Sequence, residues 1–547
     1  QQEQGGVAVA EVVEPDVGKP GALEEGVPPR GQGVGVPGSP VASVQHLRQR
    51  QLPQDHVYAL ARADVRPTAV NFPSTEPLED TTEMYRDRGL KVRTGSMLLL
   101  ACIIIACFAY TTLDASAAAQ PGLLWVARFN DPMDKNDSPC CVASSPDGTE
   151  VYVAGATPLG SVLLSYDSAT GLRKWTSRLD GTPVASVVAP DGSMVLVTGG
   201  ANAGNYITAA FDSLSGARLW ESIFDAGPAS EDIASDLVVS SDGLHVVVTG
   251  TSGVDHPSSD IVTISYDALT GQRDWVERFD GSSHQYDSGV ALASSPSAGD
   301  VFVTGFTQSG SGVETRDFVT LKYDVSGTQV WEAQFDGSAS GEDSAAAIAV
   351  SPDGSRVFVT GRSQGLTDGL DFATVAYEAS SGISIWDAGY DGPGVNSDDV
   401  PVAVTAGGDG LGVFVAGDSG GLGTSSDITT LRYDADSGSQ VWEARYNGPA
   451  NFSDFTAGVS LAFGGAFVVV AGSAAAGTPL PSKDYVTIGY RSSDGSGGVS
   501  FLYDGPAHEG DVASSLAVSP TSIRVFVTGA SRGSHGLDFA TVSYAAP

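Results

Sequence analysis

SPDGSRVFVTGRSQGLTDGLDFATVAYEASSGISIWDAGYDG, residues 351–392, decides the fold. It opens on the turn Pro352-Asp353-Gly354, where glycine accepts the positive φ that a tight hairpin needs. The β-branched run VFVTG, ending at Gly361, follows, and after a loop comes DFATVAYE, residues 371–378. Period-2 alternation with Val, Thr and Tyr marks each as a strand. A second turn, closed by Gly382, leads to a strand carrying Trp386. With the apolar segment before Ser351, the unit has four short antiparallel strands, a, b, c and d in chain order.

Outward from this stretch the same phrase returns. VYVAG, VLVTG, VVVTG, VFVTG, VFVTG, VFVAG, VVVAG and VFVTG end at Gly155, Gly199, Gly250, Gly305, Gly361, Gly417, Gly472 and Gly529. One four-stranded sheet cannot bury its own faces, whereas eight packed radially do. The expected fold is therefore all-β: an eight-bladed β-propeller over residues 120–547. The last unit supplies a, b and c, its c strand DFATVSY ending at Tyr544, but no d. Residues 122–130, GLLWVARFN, read as a d strand with no a, b or c before it. The spare strand is expected to be the outer strand of the last blade, which removes an open sheet edge.

Upstream, residues 1–83 are rich in Gly, Pro, Gln, Val and Glu without periodicity and contain no Met. They read as disordered, or as an over-extended reading frame, because so little apolar area cannot offset chain entropy. Residues 84–119 read as a signal peptide or membrane anchor. Arg86, Arg88, Lys91 and Arg93 form a positive flank, 97–113 an uncharged apolar run, and Ala117-Ala118-Ala119 a small-residue exit. Ile104-Ile105-Ala106-Cys107 resembles a bacterial lipoprotein cleavage box. Each alternative makes the propeller secreted or extracytoplasmic, with membrane contact only through residues 97–113 if they are retained.

Composition limits the chemistry. Asp+Glu (65) outnumber Lys+Arg (28), and the formal net charge of −37 repels phosphate backbones, which excludes nucleic acid as a partner. The four cysteines offer no CxxC pair and the seven histidines no HExxH, so zinc chemistry has no footing.

YDSATGLRKW (166–175) and YDALTGQRDW (266–275) resemble the D-x-x-T-G-x-x-x-W docking motif of quinoprotein dehydrogenases, eight-bladed propellers in which the Trp locks neighbouring blades. The longer unit also resembles the bacterial SBBP-type propeller repeat, with its D-Y-x-T-x-x-Y-D and V-Y-V-T-G phrases. The resemblance covers residues 122–547 and speaks for fold more than for function. It implies pyrroloquinoline quinone (PQQ) with calcium, the quinone resting on a Trp floor. Here Trp125, Trp175, Trp220, Trp275, Trp331, Trp386 and Trp442 all fall on d strands, and blade 7 substitutes Phe501. They are expected to be structural, leaving no Trp to floor a quinone. Adjacent Cys140-Cys141 resembles the vicinal disulfide of some methanol-type quinoproteins, but neighbours in a regular strand point to opposite faces. Two buried or partly buried thiols are expected instead.

The a–b and c–d turns are short and share one side, while the longer b–c and d–a loops share the other, the better place for a ligand. Two Asp series run through that face. Asp137, Asp232, Asp287, Asp343, Asp398, Asp454 and Asp511 precede strand a, and Asp260, Asp317, Asp371, Asp427, Asp484 and Asp538 open strand c. One reading is a set of carboxylates that hold calcium; the other is one loop N–H acceptor per blade. Recurrence favours the second. His256, His284, His508 and His535 read as surface residues without catalytic partners. The expected function is a non-catalytic binding or scaffold module for a protein or carbohydrate. The alternative is an enzyme, quinoprotein-like or hydrolytic, with its site on the same loop face.

Overall fold

The computed structural model describes residues 122–545 except 134, 202–203, 228–229, 254–258, 298, 311–314, 367–368, 395–396, 477–481 and 534–535. The segments expected at 1–83 and 84–119 lie outside the described residues. Among the described residues no helix is long and apolar enough to cross a membrane.

Eight four-stranded antiparallel sheets form eight blades. Blade 5 is representative, with strands a to d at Asp343–Val350, Arg356–Gln364, Leu370–Glu378 and Ser384–Tyr390. Strand a of each blade touches strand a of the next, and that of blade 8 touches that of blade 1, so the ring closes. Blade 8 takes its outer strand from Leu123–Phe129, which pairs antiparallel with Leu537–Ala545 in the register Val126↔Val542 and Ala127↔Thr541.

The core lies between blades. Phe302, Phe318 and Trp331 of blade 4 pack with Val357, Val359, Val375 and Tyr377 of blade 5. Each indole also donates its Nε1–H to a backbone carbonyl of the following blade, from Trp220 to Ala268 at 2.8 Å through Trp331 to Ala379 at 3.0 Å to Trp275 on Val325 at 3.2 Å. The acceptors sit in the c–d turns, and the turn glycine makes room for the ring. A Cβ on Gly382, itself at φ +72°, would lie 2.6 Å from the Trp331 ring. Phe501 takes the equivalent place in blade 7 and stacks on Tyr544 of blade 8 at 5.1 Å. The Thr of the V-T-G phrase ties strand b to strand c. Thr360 meets Thr374 of strand c at 3.0 Å, a buried hydroxyl pair repeated by Thr304 and Thr320 at 3.2 Å.

Every a strand carries a β-bulge, as between Pro139 and Cys141, Ala345 and Ala347, and Ala513 and Ser515. This corrects the expectation of two thiols. Cys140 is the extra residue of the blade 1 bulge, the alternation of faces breaks there, and Cys140 and Cys141 are joined by a disulfide.

Candidate functional site

Strand d runs antiparallel to strand c, so the end of d lies beside the start of c, as in Ile261↔Phe279. The d–a loop then carries the chain to strand a of the next blade. Three positions therefore converge at each blade junction on the loop-rich face: the opening residue of c, the residue just after d, and the residue that leads strand a, an Asp in every blade but the second.

The a-strand Asp is a fold contact wherever it occurs. In blade 5, Asp343 Oδ2 accepts from the Gly337 backbone N–H at 2.7 Å and Oδ1 from that of Gln364 at 3.2 Å. Asp287 repeats the pattern with Gly281 at 2.6 Å and Gln308 at 3.1 Å, Asp454 with Gly448 at 2.5 Å and Ala475 at 2.8 Å, and Asp511 with Gly505 at 2.5 Å and Arg532 at 3.0 Å. Asp232 accepts from Ala226 at 2.9 Å and Asp137 from Asp131 at 2.8 Å. The glycine matters: a Cβ on Gly337 would clash with Ser363 Oγ and lie 2.8 Å from Asp343 Oδ1. In blade 6 the expectation of Asp398 is corrected. Asp399 is the buried residue, bonded to Gly392 and Gly420, whereas Asp398 is exposed. The loop there is one residue longer, seven positions from Gly392 to Asp399 against six from Gly337 to Asp343.

The c-strand series divides by its surroundings. Asp538 is paired with Arg128 at 2.6 Å, Asp427 with Arg445 at 3.3 Å and Asp260 with Arg278 at 2.7 Å, each arginine lying on strand d two residues before the post-strand position. That d-strand position holds Gln334, Gly389 and Leu502 in blades 4, 5 and 7. The sequence reading missed the third member of the junction, the residue just after d, because it sits in what reads as a turn. Among the described residues, four junctions bring three carboxylates within 4.8 Å of one another: Asp260, Asp280 and Asp287; Asp317, Asp336 and Asp343; Asp371, Asp391 and Asp399; Asp484, Asp504 and Asp511. Burial, reinforced by the neighbouring carboxylates, pushes Asp317 and Asp371 up to about 6 and Asp484 up to about 7.

His284 and His508 place Nδ1 2.6 Å from Asp280 and Asp504, four residues upstream, partners the sequence reading did not assign. The Asp504 hydrogen bond and charge raise the His508 pKa above its ordinary value. Both rings are largely exposed, and His256 and His535 lie outside the described residues. On the opposite, short-turn face a cavity of about 330 Å³ between blades 1 and 2 is lined by Asp147, Glu150, Tyr152, Asp191 and Leu214.

Residues 111–317 match the family described as outer membrane protein assembly factor BamB. No curated protein matches the chain. Among solved structures, Chaetomium thermophilum Sqt1 bound to the N-terminus of ribosomal protein L10 is similar at 15% identity and TM-score 0.50, over 75% of this chain and 97% of that one. Quinohemoprotein alcohol dehydrogenase from Comamonas testosteroni is similar at 13% identity and TM-score 0.47, over 74% of this chain and 75% of that one. The chain is an eight-bladed β-propeller, and its residues 111–317 resemble the PQQ-like family. At these identities the likeness to solved structures is one of fold, and what the propeller does rests on its own residues.

Proposed function

We propose that this PQQ-like propeller, of the bacterial SBBP type, is an extracytoplasmic binding or scaffold module without chemistry of its own. It presents the b–c and d–a loops to a protein or carbohydrate. The observation that carries the reading is the use made of the tryptophans, each clamped between two blades with its N–H bonded to the next blade's turn, as Trp386 is to Ala435 at 3.1 Å and Trp442 to Ser492 at 3.0 Å. A quinone needs an aromatic floor, and these rings are engaged elsewhere, so the residues present do not fit that cofactor. The junction carboxylates recur around the ring, as scaffold contacts do. An extracytoplasmic place agrees with the charged, apolar and small-residue order of residues 84–119 and with the outer-membrane assembly role named in the description of the matching family.

One feature favours a quinoprotein-like enzyme as the second reading: the Cys140–Cys141 disulfide. Titrating the full chain with PQQ and calcium while following absorbance and dye reduction separates the two. The binding reading expects no cofactor-dependent turnover. Dye reduction that requires the quinone and is lost in Cys140→Ser would replace it with the enzymatic one.

A further inference from the structure

The eight blade junctions are eight versions of one site in a single chain, and they can be compared with each other. At the 8/1 and 6/7 junctions an arginine of strand d, Arg128 or Arg445, reaches the c-strand carboxylate, and the residue just after d is an asparagine, Asn130 or Asn447. At the 4/5, 5/6 and 7/8 junctions the arginine is replaced by Gln334, Gly389 or Leu502, and the post-strand residue is Asp336, Asp391 or Asp504. At these five junctions the two changes go together: with an arginine on strand d only the c- and a-strand positions carry Asp, and without one the post-strand position carries Asp as well. The 1/2 junction departs from this, with Arg178 beside Asp180, and the 2/3 junction has Ile223 and Asp225 but no Asp opening strand c. The 3/4 junction is intermediate, with three carboxylates and Arg278 on Asp260 at 2.7 Å.

The post-strand Asp is exposed while the a-strand Asp is buried, so the added anion sits at the mouth of a partly buried carboxylate group. Losing the cation there is unfavourable unless something positive arrives from solution. The 7/8 junction shows the want of it most directly. Asp484 is 6% exposed, its Oδ1 has no hydrogen-bond partner among the described residues, and the carboxylate lies within 4.8 Å of those of Asp504 and Asp511. His508 touches the outer member of this group, Asp504, from the solvent side. The donors are all carboxylate oxygens, which select hard cations over zinc or copper. Oxygens across a calcium shell lie up to about 4.6–5.2 Å apart, twice the metal–oxygen distance of about 2.3–2.6 Å.

We propose that the 4/5, 5/6 and 7/8 junctions each bind one calcium-class divalent cation between three carboxylates. Two of these come from one blade and the third from the next, so the ion clips neighbouring blades together.

The test is calorimetric titration of the full chain, stripped with EDTA, with calcium chloride. It should give three sites per chain, and calcium should raise the melting temperature. Leu502→Arg with Asp504→Asn rebuilds the 7/8 junction in the form of the 8/1 junction. It should lower the stoichiometry to two while leaving the EDTA-treated protein at least as heat-resistant as the parent. Arg445→Leu with Asn447→Asp makes the reverse conversion and should raise the stoichiometry to four, which keeps the test alive if the first variant fails to fold. A parent chain that takes up no calcium, or a stoichiometry that stays at three in a folded variant of either kind, overturns the proposal.

Discussion

Replacing Arg128 by leucine tests ring closure through a single side chain. Arg128 lies on the strand that completes blade 8 and is 1% exposed; its partner Asp538 is 0% exposed. Its guanidinium donates to Asp538 Oδ2 at 2.6 and 3.1 Å, to the Tyr503 hydroxyl of blade 7 at 2.9 Å, to Ser531 Oγ at 2.5 Å and to the Ser531 carbonyl at 2.8 Å. Leucine is sterically compatible with the position, because Leu502 occupies it in blade 7. The damage is therefore electrostatic: a buried carboxylate loses its counter-ion, which typically costs about 3–5 kcal/mol. For a fold of about 420 residues, an unfolding entropy of about 2.1 cal/mol/K per residue converts this to a fall of about 3–6 °C in melting temperature.

Calorimetry or tryptophan fluorescence of the full chain in EDTA reads the shift. Arg128→Leu with Asp538→Asn removes the orphaned charge and should recover at least half of the loss, a coupling that two independent sites would not show. If Arg128→Leu melts within about 1 °C of the parent, the arginine is not buried against Asp538. Residues 123–129 would then not complete blade 8.

Three further blade contacts and one titration can be checked separately. Trp331→Ala should cost about 3–5 kcal/mol, because the ring fills the 4/5 interface; an unchanged melting curve would refute that packing. Cysteines at Ala127 and Thr541, opposed in the register of the closing strand, should cross-link on oxidation, since opposed residues lie about 4.5–5.5 Å apart. Failure to cross-link in folded protein would count against the pairing. Cys140 and Cys141 should resist alkylation until reduced, and peptide mass spectrometry would expose free thiols if the disulfide is absent. Burial pushes Asp236 up to about 6, so the folded chain keeps a proton there that the unfolded chain has lost. Stability from this group is greatest below the unfolded value of 3.8 and falls as pH rises to about 6, so Asp236→Asn should gain on the parent between pH 4 and 7.

The blades were legible because strand, turn and register signals repeat in phase, and eight weak patterns in phase make one strong one. VFVTG and DFATVAY specify adjacent strands, and even the buried pair of Thr360 and Thr374 is written in those two phrases. The disulfide was misread because regular alternation was assumed across Cys140-Cys141. A signal against that assumption was present: Pro139, Pro183 and Pro401 each stand at the bulge of an a strand, and a proline inside a strand belongs at an edge or a bulge. Asp398 and Asp399 are adjacent, and the repeat pattern alone does not separate them. Only the extra loop residue decides between them, and its course is not a local property of the sequence.

The junction chemistry is not visible at any single repeat position. Along the chain, the c-strand and a-strand aspartates form two series, and the residue after strand d passes for turn chemistry. Antiparallel pairing of c with d nevertheless requires the start of one to face the end of the other, and the d–a loop must then deliver strand a to the same corner. Reading the three positions together, junction by junction, brings out an exchange of charge: Arg128 with Asn130 and Arg445 with Asn447, against Leu502 with Asp504, Gly389 with Asp391 and Gln334 with Asp336. A repeat explains why a carboxylate recurs, since a fold contact is needed once per blade. It does not explain why, at these five junctions, asparagine accompanies the arginine and aspartate accompanies its loss, because a purely structural hydrogen-bond acceptor has no reason to follow the charge of a neighbouring side chain. That dependence is electrostatic. It separates the a-strand aspartates, whose backbone bonds recur with or without an arginine, from the aspartates after strand d, which are the residues to mutate when asking what the propeller takes from solution.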